Sequence, residues 1–220
     1  RGVATPPDLK ESFNGGPLAV PPGMTDKEAL AFCYAPTIWP SAPPDFKAAW
    51  EAYYAALEDL AARIMRLLAA ALTLPEDYFD DVIDHPVSAL RALNYPAQTV
   101  PPQPGQLRAG AHSDYGSLTI LLPQAGSKGL QIERPDGSWM DVPPIPGAFI
   151  INIGDLMQRW TNDRWVSTVH RVANPANAEE AMARRQSFAF FHQPNWFAEI
   201  KCLEVCLELG EAAKYEPVLS

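Results

Sequence analysis

The apolar positions of this chain follow two periods, one helical and one extended. From Asp45 onward, Phe46, Trp50, Tyr53, Leu57, Leu60, Ile64, Leu67, Leu68, Ala71 and Leu72 recur at steps of three or four, the stripe of an amphipathic helix. Glu51, Glu58, Asp59, Arg63 and Arg66 take the opposite face, alanines raise the propensity between them, and Pro75 ends the run. The spacing predicts one long helix at about 45–74, and a shorter one from Glu76 to Phe79, where acidic residues suit a first turn. Before the long helix, residues 1–44 are rich in Pro and Gly with little periodicity, and read as loops that wrap the surface.

From about Ala89 the period shifts toward two. Leu118, Ile120 and Leu122 alternate along one strand, and Leu130 and Ile132 mark another. Pro135-Asp136-Gly137 is a turn leading into Trp139–Val142. Phe149–Ile153 is an apolar run bounded by Pro146-Gly147 and Gly154, as expected of a buried strand; Asp155 and Gln158 read as the capping pair of a short helix. Val169–Val172 and Ser187–Phe191 supply further strands. A helix followed by many short strands predicts a mainly β fold with a helical buttress, a sandwich or jelly roll.

Composition narrows the function class. At 220 residues the chain suits one domain, and 47% apolar with 20% charged residues is ordinary for a soluble globular protein. A net charge of −9 without a Lys/Arg-rich run makes nucleic acid and anionic membranes unexpected partners, and no apolar run approaches a membrane span. Cys33, Cys202 and Cys206 are odd in number and form no C-x-x-C motif, which fits a reducing cytoplasm rather than a disulfide framework or a zinc site. Arg1 is not an initiator Met, so the chain is expected to begin inside a longer polypeptide. Oligomeric state is not readable.

The chemistry concentrates in a few residues. His112-Ser113-Asp114 is an H-x-D motif; on extended backbone, positions i and i+2 share a face, so an imidazole and a carboxylate are presented together. His170, within Thr168-Val169-His170-Arg171-Val172, is the best second imidazole. Two His and one carboxylate on one face of an octahedral ion leave positions open for a chelating cosubstrate and dioxygen, the pattern of non-haem iron(II) oxygenases. Arg185 and Ser187 again share a strand face, and a guanidinium fork beside a hydroxyl suits the far carboxylate of a dicarboxylic acid. Tyr95 could add a phenol donor. The remaining histidines complete no such set: His85, before Pro86, reads as a turn residue, and His192 as a strand-end partner. Asn152 and Asp155 read as structural, and Glu76, Asp77, Asp80, Asp81 and Asp84 as a solvated acidic face.

These stretches resemble a known family, the isopenicillin N synthase-like branch of the 2-oxoglutarate and Fe(II)-dependent oxygenases. The resemblance runs from Thr5-Pro6-Pro7-Asp8-Leu9 to about Cys206. It is strongest in His112–Thr119, Val142–Phe149, Asn152-Ile153-Gly154-Asp155 and His170-Arg171-Val172. It implies a double-stranded β-helix (jelly roll) over a single oxygenase domain, 1–220, that lacks part of the family's N-terminal and C-terminal segments. It implies Fe(II) held by His112, Asp114 and His170, with 2-oxoglutarate chelating the iron and its other carboxylate meeting Arg185 and Ser187. Dioxygen would complete the reaction, and hydroxylation or desaturation of a small molecule would accompany release of succinate and CO2. The spacing from His170 to Arg185 is a few residues long, with Asn177–Met182 as a surface insertion and Arg184 as a competing anchor. Leu93 stands where some members carry Asn two positions before the Tyr. Substrate-pocket walls are expected from Arg1 to Trp39 and from Tyr115 and Phe191. Two other functions share these residues: an Fe(II) oxidase of the isopenicillin N synthase or ethylene-forming type, which uses no 2-oxoglutarate, and a non-catalytic jelly-roll binding module.

Overall fold

A computed structural model describes residues 6–220. Two antiparallel sheets carry the fold. The first contains strands β1 (Glu11–Gly15), β2 (Ala89–Tyr95), β4 (Leu118–Pro123), β7 (Ile150–Ile153) and β9 (Arg185–His192), in the order β1-β2-β9-β4-β7. The second contains β3 (Ala109–His112), β5 (Leu130–Glu133), β6 (Trp139–Asp141) and β8 (His170–Val172), in the order β3-β8-β5-β6. Helix α1 spans Lys27–Phe32, α2 Phe46–Ala71, α3 Asp155–Trp160 and α4 Ala178–Met182, and a small ribbon pairs β10 (Glu199–Ile200) with β11 (Val218–Leu219). This is the jelly roll with a helical buttress that the sequence predicts. No helix among the described residues is long and apolar enough to cross a membrane.

The buttress forms because one face of the five-stranded sheet is apolar. Leu90 of β2, Leu118 and Ile120 of β4 and Phe190 of β9 share a core with Trp50, Tyr54, Leu57, Ala61, Met65 and Ala69 of α2. The Tyr54 ring meets Phe190 edge-on at 5.2 Å, and its hydroxyl donates to the Ser88 carbonyl at 2.9 Å, so the ring is buried with its polar end satisfied. The buried stripe is offset from the expected one: Tyr54 rather than Tyr53 is fully enclosed, and Leu67 is 70% exposed. The physical reason is side-chain size. Ala61 and Ala69 let the helix axis approach the sheet, and a size-blind count of apolar residues misses that preference.

Four further expectations are corrected. Residues 1–44 are not all loop. β1 forms through its ladder with β2, from Glu11↔Asn94 to Gly15↔Leu90, a long-range pairing without a local period. In α1 the Asp26 side chain caps the Ala29 N–H at 2.8 Å, but Ala29 is its one buried residue, so no stripe announces it. After Pro75 no α-helix forms. Successive i→i+3 bonds (Tyr78 N–H to Pro75, Asp80 N–H to Asp77, Val82 N–H to Phe79) give turns and a 3₁₀ turn at Asp80–Val82, anchored by buried Phe79. β7 is an edge strand rather than a buried one, with Ile151 43% exposed. Finally, Gly154 rather than Asp155 is the N-cap of α3. Gln158 instead grips the chain beyond the helix, donating to Asp163 at 2.8 Å and accepting from the Ser167 N–H at 2.7 Å.

Strand parity divides labour. In β9, Phe188 and Phe190 pack toward α2, whereas Arg185, Ser187, Ala189 and Phe191 line a cavity between the sheets. β4 repeats the division, with Leu118 and Ile120 on the helix side and Thr119 and Leu121 on the cavity side. Truncation of Phe190 to Ala is expected to cost about 4 kcal/mol, since it empties the helix–sheet contact; urea unfolding of the variant against the parent chain measures it.

Candidate metal and carboxylate site

The cavity between the sheets has a volume of ≈250 Å³. On its wall, His112 of β3 lies directly opposite His170 of β8 in the ladder. The two rings are 4.4 Å apart between centroids. His112 Nδ1 is 2.7 Å from the Gly110 carbonyl, and His170 Nδ1 is 3.1 Å from the Thr168 carbonyl. A carbonyl oxygen only accepts, so each Nδ1 carries the proton and each Nε2 of the neutral ring presents a lone pair. Both rings are thus oriented by the backbone two residues upstream. Burial, the largest influence, holds the His112 imidazole below the usual histidine range, which favours the neutral, metal-competent form.

Asp114 is buried and follows β3 in the turn to β4. Its Oδ2 accepts from Thr119 Oγ1 at 2.7 Å and Asn152 Nδ2 at 3.1 Å. Oδ1 points the other way, 3.8 Å from His112 Nε2 and 3.7 Å from His170 Nε2. One donor atom from each of the three residues falls within a 4.8 Å cluster that could hold a metal ion. The structure thus brings His112, Asp114 and His170 together.

The Asn152-Ile153-Gly154-Asp155 segment supports the H-x-D turn. The Asp155 N–H donates to the Asp114 carbonyl at 2.8 Å, and the Leu156 N–H to the Gly116 carbonyl at 2.9 Å, so the first N–H groups of α3 are satisfied by the turn itself. The Ser113 hydroxyl donates to Asp155 Oδ2 at 3.3 Å. The approach is so close that a Cβ on Gly154 would meet the Gly116 carbonyl oxygen at 2.3 Å, and Gly116, at φ +99°, has no room beside the His192 carbonyl. Asn152, which reads from sequence as structural, bonds the Asp114 carboxylate directly, and so does Thr119, which carries no sequence motif. The only sequence signal is a lone polar residue within the apolar Phe149–Ile153 run; its register opposite Thr119 is visible in the structure alone.

Arg185 and Ser187 line the same cavity as the His/Asp cluster. Arg185 is buried, stacks over the Tyr95 ring at 4.8 Å and reaches the Ser187 hydroxyl from Nη1 at 3.5 Å. Its Nε has no partner. Tyr95 is its ladder neighbour and also lines the cavity. Arg184 is exposed, donates to Asn94 Oδ1 at 2.6 Å and does not line the cavity of the His/Asp cluster, although it lines a neighbouring cavity with Arg108 and Arg185. The other expectations divide. Phe191 lines the cavity, and so does Lys10 from the N-terminal segment, whereas Tyr115 is 51% exposed and lines a neighbouring cleft. Arg1 to Thr5 lie outside the described residues. His85 is exposed and remote from the cluster. His192 is fully buried, with Nδ1 2.6 Å from the Ser117 hydroxyl, and burial pushes its pKa down to about 4.

Comparison with known proteins places this geometry. The profile of the 2OG-Fe(II) oxygenase superfamily matches residues 86–194. The 2-oxoglutarate-Fe(II) type oxidoreductase hxnY of Emericella nidulans is 39% identical over 188 residues, which cover 83% of this chain and 52% of that protein. The crystal structure of a full-length Neurospora crassa protein in complex with alpha-KG superposes with a TM-score of 0.85 at 33% identity, covering 98% of this chain and 64% of the other; the same protein has been solved with alpha-KG and thymine. A Caulobacter crescentus protein assigned to the 2OG-Fe(II) oxygenase family matches with a TM-score of 0.84 and 34% identity over 100% of this chain and 68% of its own. The chain spans about half the length of the curated relatives it matches.

Two outcomes test the geometry. Thr119→Val and Asn152→Leu, each removing one donor to Asp114 Oδ2, are expected to weaken Fe(II) binding by about tenfold or more; anaerobic competition with a chromophoric chelator reads this, and unchanged affinity would discard their positioning role. His192 binds protons more weakly folded than unfolded, so its contribution to stability is complete above about pH 6.5 and declines as pH falls toward 4. Between pH 7 and pH 5 the loss should be about 2 kcal/mol; urea midpoints at the two pH values, compared with His192→Gln, isolate it.

Proposed function

The chain belongs to the 2OG-Fe(II) oxygenase superfamily, and on that premise we propose that it is an Fe(II)- and 2-oxoglutarate-dependent dioxygenase. It hydroxylates or desaturates a small-molecule substrate and releases succinate and CO2. One observation carries the reading: a His112–Asp114–His170 donor cluster and a buried guanidinium without a carboxylate partner, Arg185, open into the same cavity.

The donor set fits ferrous iron. It consists of two neutral imidazole nitrogens and one carboxylate oxygen on one side of the site, an arrangement that leaves coordination positions open. The other end of the cavity fits a dicarboxylate. A buried cation without a counter-charge is costly, and Arg185 has that cost relieved when a carboxylate enters. When bound, Fe(II) and 2-oxoglutarate supply oxidative decarboxylation coupled to C–H oxidation. The protein does the rest by placement. Arg185 and Ser187 fix the far carboxylate and so set how far the keto acid extends toward His112 and His170. The Tyr95 ring fixes the plane of the Arg185 fork. Thr119 and Asn152 keep one oxygen of Asp114 occupied and turn the other toward the metal position. Apolar walls from Leu93, Ile150, Ile151 and Phe191, with Arg91 among them, leave a mixed surface for an organic substrate.

We read residues 1–220 as one oxygenase domain acting on a small molecule, without nucleic-acid or membrane partners, in a reducing cytoplasm; the three cysteines, all free, agree with that location. A relative solved with alpha-KG and thymine supports a small organic substrate.

Succinate should form from 2-oxoglutarate only when Fe(II) and oxygen are present, and Asp114→Ala should reduce it to background. Anaerobic addition of 2-oxoglutarate to the Fe(II)-loaded chain should produce a weak metal-to-ligand charge-transfer band. Absence of the band, with iron bound, would favour the oxidase reading.

A further inference from the structure

A second buried arginine lies beside the carboxylate end of the cavity. Arg108 immediately precedes β3 in the four-stranded sheet, and Arg185 opens β9 in the five-stranded one. Both are 4% exposed. Arg108 donates from Nη2 to the Ala183 carbonyl at 3.2 Å, which ties it to the segment that enters β9. Its Nε, like that of Arg185, is buried without a partner. No carboxylate among the described residues pairs with either guanidinium. Both arginines line a second cavity that shares Arg185, Leu130 and Val142 with the His/Asp cavity. After burial, the charge of Arg185 is the main influence holding Arg108 below the usual arginine range.

Two like charges buried on the wall of one cavity oppose each other, and each keeps an unmade hydrogen bond. A protein tolerates that arrangement when an anion from outside completes it, as planar guanidinium forks do with a carboxylate. We propose that Arg108 is a further anchoring residue: the distal carboxylate of 2-oxoglutarate is held between Arg185 from one sheet and Arg108 from the other. The clamp rests on the proposed use of 2-oxoglutarate and adds a residue to it. It makes cosubstrate binding bridge the two sheets, and it makes selectivity for a dicarboxylic over a monocarboxylic 2-oxo acid depend on two charges rather than one.

The test is calorimetric, on the Mn(II)-loaded chain without oxygen, titrated with 2-oxoglutarate and separately with 2-oxopentanoate, which lacks the distal carboxylate. The parent chain should prefer 2-oxoglutarate. Arg108→Gln should weaken 2-oxoglutarate binding by about tenfold or more while leaving 2-oxopentanoate unchanged, and Arg108→Lys should recover part of the preference. Equal weakening of both acids by Arg108→Gln, or no change in either, overturns the proposal, because a purely structural arginine would not discriminate between them. Should Arg108→Gln not fold, Arg108→Lys alone decides: undiminished preference for the dicarboxylate together with an unchanged affinity overturns the clamp. A parent chain that binds neither acid refutes the 2-oxoglutarate reading itself, and the clamp with it. A parent that binds 2-oxoglutarate beside an indifferent Arg108→Gln refutes the clamp alone.

Discussion

The site depends on how one carboxylate is shared. Asp114 Oδ2 is taken by Thr119 and Asn152, and this leaves Oδ1 facing two imidazoles whose protons are already committed to backbone carbonyls. Each of the three side chains thereby has one free donor atom and one committed atom. A free carboxylate could rotate about its side-chain bonds; one held on one oxygen by two donors keeps the other directed at the imidazoles. The loop that carries it is fixed in turn by the first N–H groups of α3, so the edge strand β7, the short helix and the H-x-D turn behave as one piece.

The large features were legible in the sequence because they rest on local signals. The α2 helix shows its period over many turns, and the strands from Leu118 onward alternate or form apolar runs. His112, Asp114 and His170 stand out because histidine is scarce in this chain and H-x-D presents both groups on one side. Arg185 and Ser187 follow by the same strand logic. What escaped was set by partners distant in sequence. β1 is held by the ladder with β2 rather than by its own pattern. The α2 stripe shifted because small alanines were preferred against the sheet. Thr119 and Asn152 meet at the Asp114 carboxylate through cross-strand register. Arg108 reads as an ordinary charged residue until its burial and its missing counter-charge are seen. Arg184, adjacent to Arg185 in sequence, lies outside the His/Asp cavity because neighbouring residues point to opposite sides of extended backbone.

The two ends of the cavity solve opposite electrostatic problems. At the His/Asp end, an anion and two neutral rings wait for a cation; at the Arg end, cations wait for an anion. A divalent cation at the first end would carry one charge more than the Asp114 carboxylate offsets, and a molecule with a carboxylate at each terminus would meet that remainder with one and the arginine end with the other. Cosubstrate specificity in this reading is a matter of charge neutralisation along a line rather than of shape.

Strand β9 carries a last consequence. Its odd-numbered residues line the cavity, and its Phe188 and Phe190 pack against the helix, so the two sets are free to diverge under separate selection. Exchange of Ala189 or Phe191 can retune what the protein recognises while Phe188 and Phe190 keep it folded, and the reverse is equally open. The same partition makes the strand intolerant of insertion. A single residue added within the strand would reverse the faces of everything on one side of it, setting either Phe188 and Phe190 in the cavity or Arg185 against the helix. Lineages descended from such a chain would be expected to vary freely by substitution along β9 and scarcely ever in its length.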